Sequence, residues 1–245
     1  NMEKIAIIIP SRLKAERLPN KPLKLINNRE MILHVYDVAK AANVGEVIVA
    51  TPDKEILDLI KKKNGQAILT SDKHATGTDR VFEVFEGLLE STPEVIINFQ
   101  GDMPNLNPSA IKNLAIHMKK NLCDIATLAS HIENDLEKKD PNVVKVHTSE
   151  EINNEIFSKA LDFFRTSEKP LNKHTYHHVG IYAFTNKALI RYVSLTRTKL
   201  EIERKLEQMR ALENQMKIDV GYIDTCPLSV DTEADLNAVK KIMEN

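Results

Sequence analysis

Arg12, Arg17 and Lys21 set three cations close together in residues 9–23, IPSRLKAERLPNKPL. The carboxylate among them is Glu16, so most of that charge is left for an external anion, one as dense as a triphosphate. A solvated surface loop would carry the same residues. What favours the anion is position: the loop directly follows an apolar run, and open α/β sheets bind ligands past the carboxyl ends of their strands. Gln100-Gly101-Asp102 follows a second apolar run in the same way. Asp102 could pair with Arg12 or Arg17, hold Mg²⁺ against phosphates, or occupy a strand-end turn. Gly101 is expected to let the backbone turn sharply there and come close to a ligand. Asp231 stands just before a helical pattern, where it or Thr232 could serve as N-cap. Its meeting Asp102 at one ion would be metal chemistry instead. The loop at 71–80 gathers Ser71, His74, Thr76 and Thr78 around Gly77. Hydroxyls and N–H groups at a helix start can read a base edge or accept phosphate, and a capped helix accounts for Thr78-Asp79 as well.

Other chemistries find no foothold. The histidines show no metal spacing such as H-E-x-x-H, and no Ser/His/Asp or Cys/His signature is readable. The charged run at 199–205 reads as a solvated helical face.

These residues need strands to carry them. Residues 5–9 are nearly all isoleucine, the pattern of a parallel strand buried on both faces, and Pro10 ends its ladder. Further strands are expected at 46–50, 66–69 and 94–99. Between them lie helices at 31–42, at 53–63 with Asp53 as cap and Gly65 as stop, and at about 79–89 with Val81, Phe82, Phe85 and Leu88 inward. Asn107-Pro108 opens another helix by cap and N1 proline. Alternation of this kind means a parallel sheet with right-handed crossovers. The second half is less regular: strands at 124–131, 143–147, 179–184 and 216–223, one helix over 200–214, and a closing helix over 232–243. The expected organisation is a single α/β domain over 1–245 with an insertion near 133–180.

At 245 residues, 42% hydrophobic and 28% charged, the chain has the composition of a soluble globular protein. A net charge of −1 gives no global basic field, which argues against nucleic acid as a partner. Cys123 and Cys226 are too few and too far apart for a metal knuckle or a disulfide framework, which fits a reducing, cytoplasmic setting. With no apolar run near ~18 residues and no signal peptide before Ile5, no membrane insertion is expected.

Residue by residue, the pieces resemble one family, the 3-deoxy-manno-octulosonate (Kdo) cytidylyltransferases. The resemblance rests on IPSR-x₄-RLP-x-KPL at 9–23, HVYD-x-A at 34–39, T-x-D at 51–53, HATGTDR at 74–80 and NFQGDMP at 98–104. It continues through DPNVVKV at 140–146, FSKA at 157–160, HVGIYAF at 178–184, LEQMRALEN at 206–214 and SVDTEADL at 229–236. The resemblance implies a GT-A-like nucleotidyltransferase fold: a Rossmann-like, mostly parallel central sheet flanked by helices, with a smaller dimerisation and sugar-binding insertion. It implies CTP + Kdo → CMP-Kdo + pyrophosphate, for lipopolysaccharide biosynthesis, with Mg²⁺ as cofactor and a homodimer joined through the second half. In that reading Arg12, Arg17 and Lys21 clamp the triphosphate, and Asp102 and Asp231 hold the metal. Ser71, His74, Thr76, Gly77 and Thr78 surround cytosine and ribose, Arg80 is a further substrate-binding residue, and Gln100, Lys159, His178, Glu207 and Gln208 face the sugar acid.

Four places depart from the family's pattern: Lys14 and Ala15 in the first loop, Met103 after Asp102, Lys159 where an arginine is usual, and Arg204 where a glutamate is usual. The last two bear on the sugar more than on cytidylyl transfer, leaving an amino-modified Kdo or another 2-keto-3-deoxy sugar acid open. Two rivals are a nucleotidyltransferase for sugar 1-phosphates, which would need an extra phosphate clamp, and a nucleotide sensor without catalysis, which loss of Lys21, Asp102 or Asp231 would favour.

Overall fold

A computed structural model describes residues 4–87 and 92–245; Leu88, expected to face inward, lies outside them. In chain order, β1 (Ile5–Pro10) leads through a basic loop to a 3₁₀ turn (Lys21–Leu23) and a short hairpin, β2 (Leu25–Ile26) and β3 (Arg29–Glu30). Then come α1 (Met31–Ala42), β4 (Glu46–Thr51), α2 (Lys54–Lys62), β5 (Ala67–Leu69), α3 (Gly77–Gly87), β6 (Val95–Phe99) and α4 (Pro108–Lys119). The second half holds β7 (Ile125–Ser130), α5 (Asp135–Lys139), β8 (Lys145–Thr148), β9 (Ser158–Phe164), β10 (Thr175–Thr185), α6 (Asn186–Ser194), α7 (Lys199–Arg204), α8 (Met209–Glu213) and β11 (Ile218–Tyr222). Helix α9 (Glu233–Met243) closes the chain. Two compact units result, one of residues up to 112 together with 227–245, the other of 113–226.

In the first unit the strand order is β5-β4-β1-β6, every pairing parallel. Strand β1 is buried along its whole length, as its isoleucines require. Pairing of Ile8 with both Ile48 and Asn98 aligns the carboxyl ends of β1, β4 and β6. The loops that follow those strands therefore emerge side by side. Helix α9 belongs to this unit: Leu236 and Val239 pack with Val230, Leu18, Ile26 and Met31. Leu18 thereby anchors the middle of the basic loop.

In the second unit the order is β10-β7-β11-β9-β8, and β8 pairs back onto β10. Only β7 with β11 is parallel among these pairings. The sheet is thus mixed, not mostly parallel: no helix intervenes between β8, β9 and β10, and β8 pairs antiparallel with both of the others.

Local differences have local causes. Asn64 (φ 63°), not Gly65, takes the left-handed conformation after α2. Asparagine does this at six positions, Asn20, Asn27, Asn28, Asn43, Asn64 and Asn121, while no described glycine has positive φ. The sharp turn expected at Gly101 is accordingly not made by a left-handed glycine. Gly65 is small for another reason: a Cβ there would meet Ile60 Cγ2 at 2.8 Å. In α3, Val81, Val84 and Phe85 are buried, whereas Phe82 is only half-buried. The single helix expected over 200–214 is two, broken at Lys205 (φ 54°). Arg165 accepts the break by donating Nε to Arg204 O and Nη2 to Lys205 O, 3.0 Å each.

Candidate active site

The basic loop is pinned at several points. Ser11 N–H donates to Ala50 O (3.0 Å) and Asn20 N–H to Leu13 O (3.0 Å). Leu13 N–H donates to Asp53 Oδ2 (2.8 Å). Asp53 precedes α2 as expected, but its side chain makes no cap bond there; it holds the basic loop instead. Arg12 and Arg17 are exposed, and among the described residues neither makes an ion pair. Asp102 consequently pairs with neither arginine.

Lys21 is placed differently. Its ammonium lies 3.5 Å from Asp231 Oδ1. Val230 N–H donates to Asp102 O (2.8 Å), Leu228 N–H to Asn105 Oδ1 (3.1 Å), and Ser229 Oγ to Asp102 Oδ2 (3.3 Å). These bonds zip the segment before α9 onto the turn after β6. Thr232 caps α9 in a capping box with Asp235, which leaves the Asp231 carboxylate uncommitted to the helix. Burial lifts the Asp102 carboxyl above its usual range; Lys21 opposes that lift and Asp231 adds to it. Two hard oxygen donors repelling each other beside a single ammonium form a donor set that fits a divalent cation of the Mg²⁺ type.

Two adjoining cavities, of about 170 and 160 Å³, share Pro10, Ser11, Arg12 and Gln100 as walls. The first adds Lys14, Ala15, Lys21, Pro22, Gly101 and Asp102. The second adds His74, Ala75, Thr76, Gly77 and Arg80. Arg17 lines neither, Ser71 is exposed on the same loop as His74, and Thr78 is buried behind it.

Residues that the motifs did not single out hold the second cavity in shape. Glu83 accepts from Ser71 N–H and from the His74 ring, 3.0 Å each. Burial alone would raise Glu83, yet those two donors hold it below the usual carboxylate range. Asn98 donates to Thr78 Oγ1 (3.2 Å) and accepts from Gln100 Nε2 (2.8 Å), fixing the amide that walls both cavities. A Cβ on Gly77 would approach that amide to 3.2 Å, so the close fit favours glycine. Arg80 is buried, donates Nε to Thr70 Oγ1 (3.0 Å) and Nη2 to Ser71 O (3.3 Å), and has its pKa lowered chiefly by burial and then by Arg12. A polar Asn98 within the apolar run VIINF was a readable signal. Glu83 gave none beyond its place one turn after Asp79.

Four expected sugar-facing residues, Lys159, His178, Glu207 and Gln208, belong to the second unit. Lys159 is exposed on β9. His178 is buried, with Nε2 2.9 Å from Thr127 Oγ1, and desolvation lowers its pKa to about 3, so the ring is neutral. Gln208 is buried at the start of α8, and Glu207 precedes it, half-buried, its carbonyl accepting from Tyr192 OH (3.0 Å). Arg204, the departure in the same segment, donates Nη1 to Asp162 Oδ1 (2.6 Å) and Phe163 O (2.5 Å), so it ties α7 to β9.

Comparison with known proteins points one way. The profile of the cytidylyltransferase family matches residues 6–218. The 3-deoxy-manno-octulosonate cytidylyltransferase of Bartonella tribocorum is 42% identical over 241 residues, covering 97% of each chain. That of Paramagnetospirillum magneticum is 40% identical over 239 residues, again 97% of each. A solved structure of CMP:2-keto-3-deoxy-manno-octonic acid synthetase complexed with CTP superposes with a TM-score of 0.87 at 34% identity, over 98% of each chain. The 4-diphosphocytidyl-2C-methyl-D-erythritol synthase of Anaerococcus prevotii, at 14% identity and a TM-score of 0.69 over the full length of both, shares the fold.

Proposed function

We propose that this chain, which belongs to the 3-deoxy-manno-octulosonate cytidylyltransferase family, activates Kdo with CTP, giving CMP-Kdo and pyrophosphate for lipopolysaccharide biosynthesis. The observation that carries the reading is the cavity where Arg12, Lys21, Gln100 and Asp102 meet, beside one walled by His74, Thr76, Gly77 and Arg80. One cavity offers cations for a triphosphate, the other hydroxyl and backbone groups for a nucleoside.

The reaction is an in-line displacement. The anomeric hydroxyl oxygen of the sugar forms a bond to the α-phosphorus and gives up its proton to solvent, while the bond from that phosphorus to the bridging oxygen breaks and pyrophosphate leaves with its electron pair. Arg12, Arg17 and Lys21 bind the triphosphate and neutralise the negative charge that grows on the leaving group. Asp102 and Asp231 would hold a divalent cation, read as Mg²⁺, which when bound neutralises phosphate charge. Ser71, His74, Thr76, Gly77, Thr78 and Arg80 make the cytidine site, with Glu83 and Asn98 setting its shape. Gln100, Lys159, His178, Glu207 and Gln208 are assigned to the sugar acid, Lys159 to its carboxylate. His178 and Gln208, being buried, would position neighbours more than touch substrate.

A GT-A-like single domain with a dimerisation region near 133–180, a homodimer and a cytoplasmic setting complete the proposal. Family resemblance supports all of these. Among the described residues no helix is long and apolar enough to cross a membrane, and neither cysteine is in a disulfide.

Pyrophosphate release measured with CTP, Mg²⁺ and a panel of 2-keto-3-deoxy sugar acids tests the assignment. Release should require CTP and Kdo together. Release with sugar 1-phosphates and none with Kdo would replace it by the rival nucleotidyltransferase reading.

A further inference from the structure

Away from both cavities, three metal-ligating side chains from separate elements of the second unit converge. His117 ends α4, Cys123 lies in the connection to β7, and Asp219 is on β11; one ligand atom from each lies within 4.8 Å of the other two. His117 Nε2 is 2.7 Å from Asp219 Oδ2, and both residues are buried. The Cys123 thiol donates to Met118 Sδ (3.8 Å), lies within 4.8 Å of the other two ligand atoms and remains half-buried, so the group keeps a path to solvent.

The imidazole is held in place. Phe157 stacks on it with ring centroids 3.8 Å apart and an interplanar angle of 3°. That ring also lies against Gly221, where a Cβ would come within 2.4 Å of Phe157. Glycine at 221 thus makes room for the ring that orients His117. Lys217 Nζ is 3.8 Å from Asp219 Oδ1, the oxygen not used by His117. A plain histidine–aspartate pair would account for two of the three residues, but not for a thiol within 4.8 Å of both ligand atoms.

We propose that His117, Cys123 and Asp219 bind one borderline divalent cation, Zn²⁺ by ligand type, with a water completing a tetrahedral set. Thiolate, imidazole and carboxylate together suit zinc, and three protein ligands leave a fourth position open. On binding, the Cys123 Sγ–H proton leaves to solvent as the sulfur–metal bond forms. The hydrogen that His117 Nε2 directs at Asp219 is released to solvent and Nδ1 carries the ring's proton, which frees the Nε2 lone pair for the metal. The ion joins the end of α4 to β11 and is separate from the carboxylates assigned to Mg²⁺.

Chelator-stripped full-length protein titrated with Co²⁺, then with Zn²⁺, tests this. One equivalent of Co²⁺ should produce thiolate-to-cobalt charge-transfer absorption that Zn²⁺ abolishes. The band should vanish in Cys123→Ser and persist in Cys226→Ser and Asp102→Asn. His117→Gln should weaken the metal by more than about 100-fold, exceeding the 10–100-fold typical of outer-shell partners. Independently, Zn²⁺ should slow alkylation of Cys123 at least tenfold in the unmutated protein while leaving Cys226 unprotected. A Co²⁺ complex without a thiolate band, a band surviving in Cys123→Ser, or unaltered alkylation of Cys123 would overturn the site.

Discussion

The cations of the first unit's basic loop and those inside the second unit are treated in opposite ways. In the first, Arg12 and Arg17 stand exposed without ion-pair partners among the described residues, and Lys21 reaches only a distant contact with Asp231. Inside the second unit, charges are enclosed and answered. Arg210 makes two bonds to Glu201, of 2.9 and 2.7 Å, with both side chains buried. Lys145, fully buried, donates to Asp140 O (2.8 Å) and Arg165 O (2.5 Å). A cation whose donors the fold already satisfies is architecture; one left facing a cavity is available to a ligand.

That contrast can be broken most forcefully at Arg210. Arg210→Met leaves Glu201 buried with only Arg197 (3.6 Å) and the Thr198 N–H (3.1 Å) to answer it, and should cost up to about 3–5 kcal/mol of stability. The denaturation midpoint reads this directly, and folded enzyme that survives should retain its turnover. Lys21→Met should do the reverse: turnover falls about 10²–10³-fold, as for loss of one preorganised charge, with little change in midpoint. Near wild-type turnover, or a large stability loss, would move Lys21 into the architectural class.

A third prediction concerns pH. Because the folded pKa of His178 is lowered to about 3, the unfolded chain binds a proton that the folded chain refuses between about pH 6.5 and 3. Stability therefore rises with pH across that window and declines as pH falls. At pH 5 the loss should be about 2 kcal/mol relative to neutrality. Denaturation of His178→Gln across that range should show a flatter acid limb; an unchanged slope would mean that another group carries it.

The smallest effect expected is at Lys159. Lys159→Arg should lower KM for Kdo by the equivalent of about 1 kcal/mol, since a planar fork fits a carboxylate better than an ammonium does. KM for CTP should not move. Lys159→Ala should raise KM for Kdo more, with stability changed by only about ±0.5 kcal/mol, as for an exposed residue. Unchanged KM in both variants would remove Lys159 from the sugar site.

What the sequence disclosed follows the same division. Strands β1, β4 and β6 were legible because parallel strands buried on both faces read as apolar runs, and the loops after them were legible as sites for that reason. Second-unit elements were harder. Strand β9 carries Lys159 and Leu161 outward and Asp162 half-buried, so no apolar run announces it. The break at Lys205 is invisible to periodicity, because carbonyl acceptors for Arg165 arrive from some 40 residues away in sequence. Asp53 shows a residue found in the right place for the wrong reason: it was expected to cap α2, and it holds Leu13. Partners such as Glu83 for His74, or Asp219 for His117, depend on tertiary placement that spacing alone does not encode.

Calorimetric titration with CTP, at fixed Mg²⁺, of the unmutated protein and of Arg12→Ala tests most directly that the first unit's open cations exist for the triphosphate. A charge-assisted hydrogen bond contributes about 1.5–3 kcal/mol, so the variant should bind CTP roughly 10–150-fold more weakly while its thermal midpoint stays where it was. Unchanged CTP affinity in Arg12→Ala would contradict the assignment of that loop to the nucleotide.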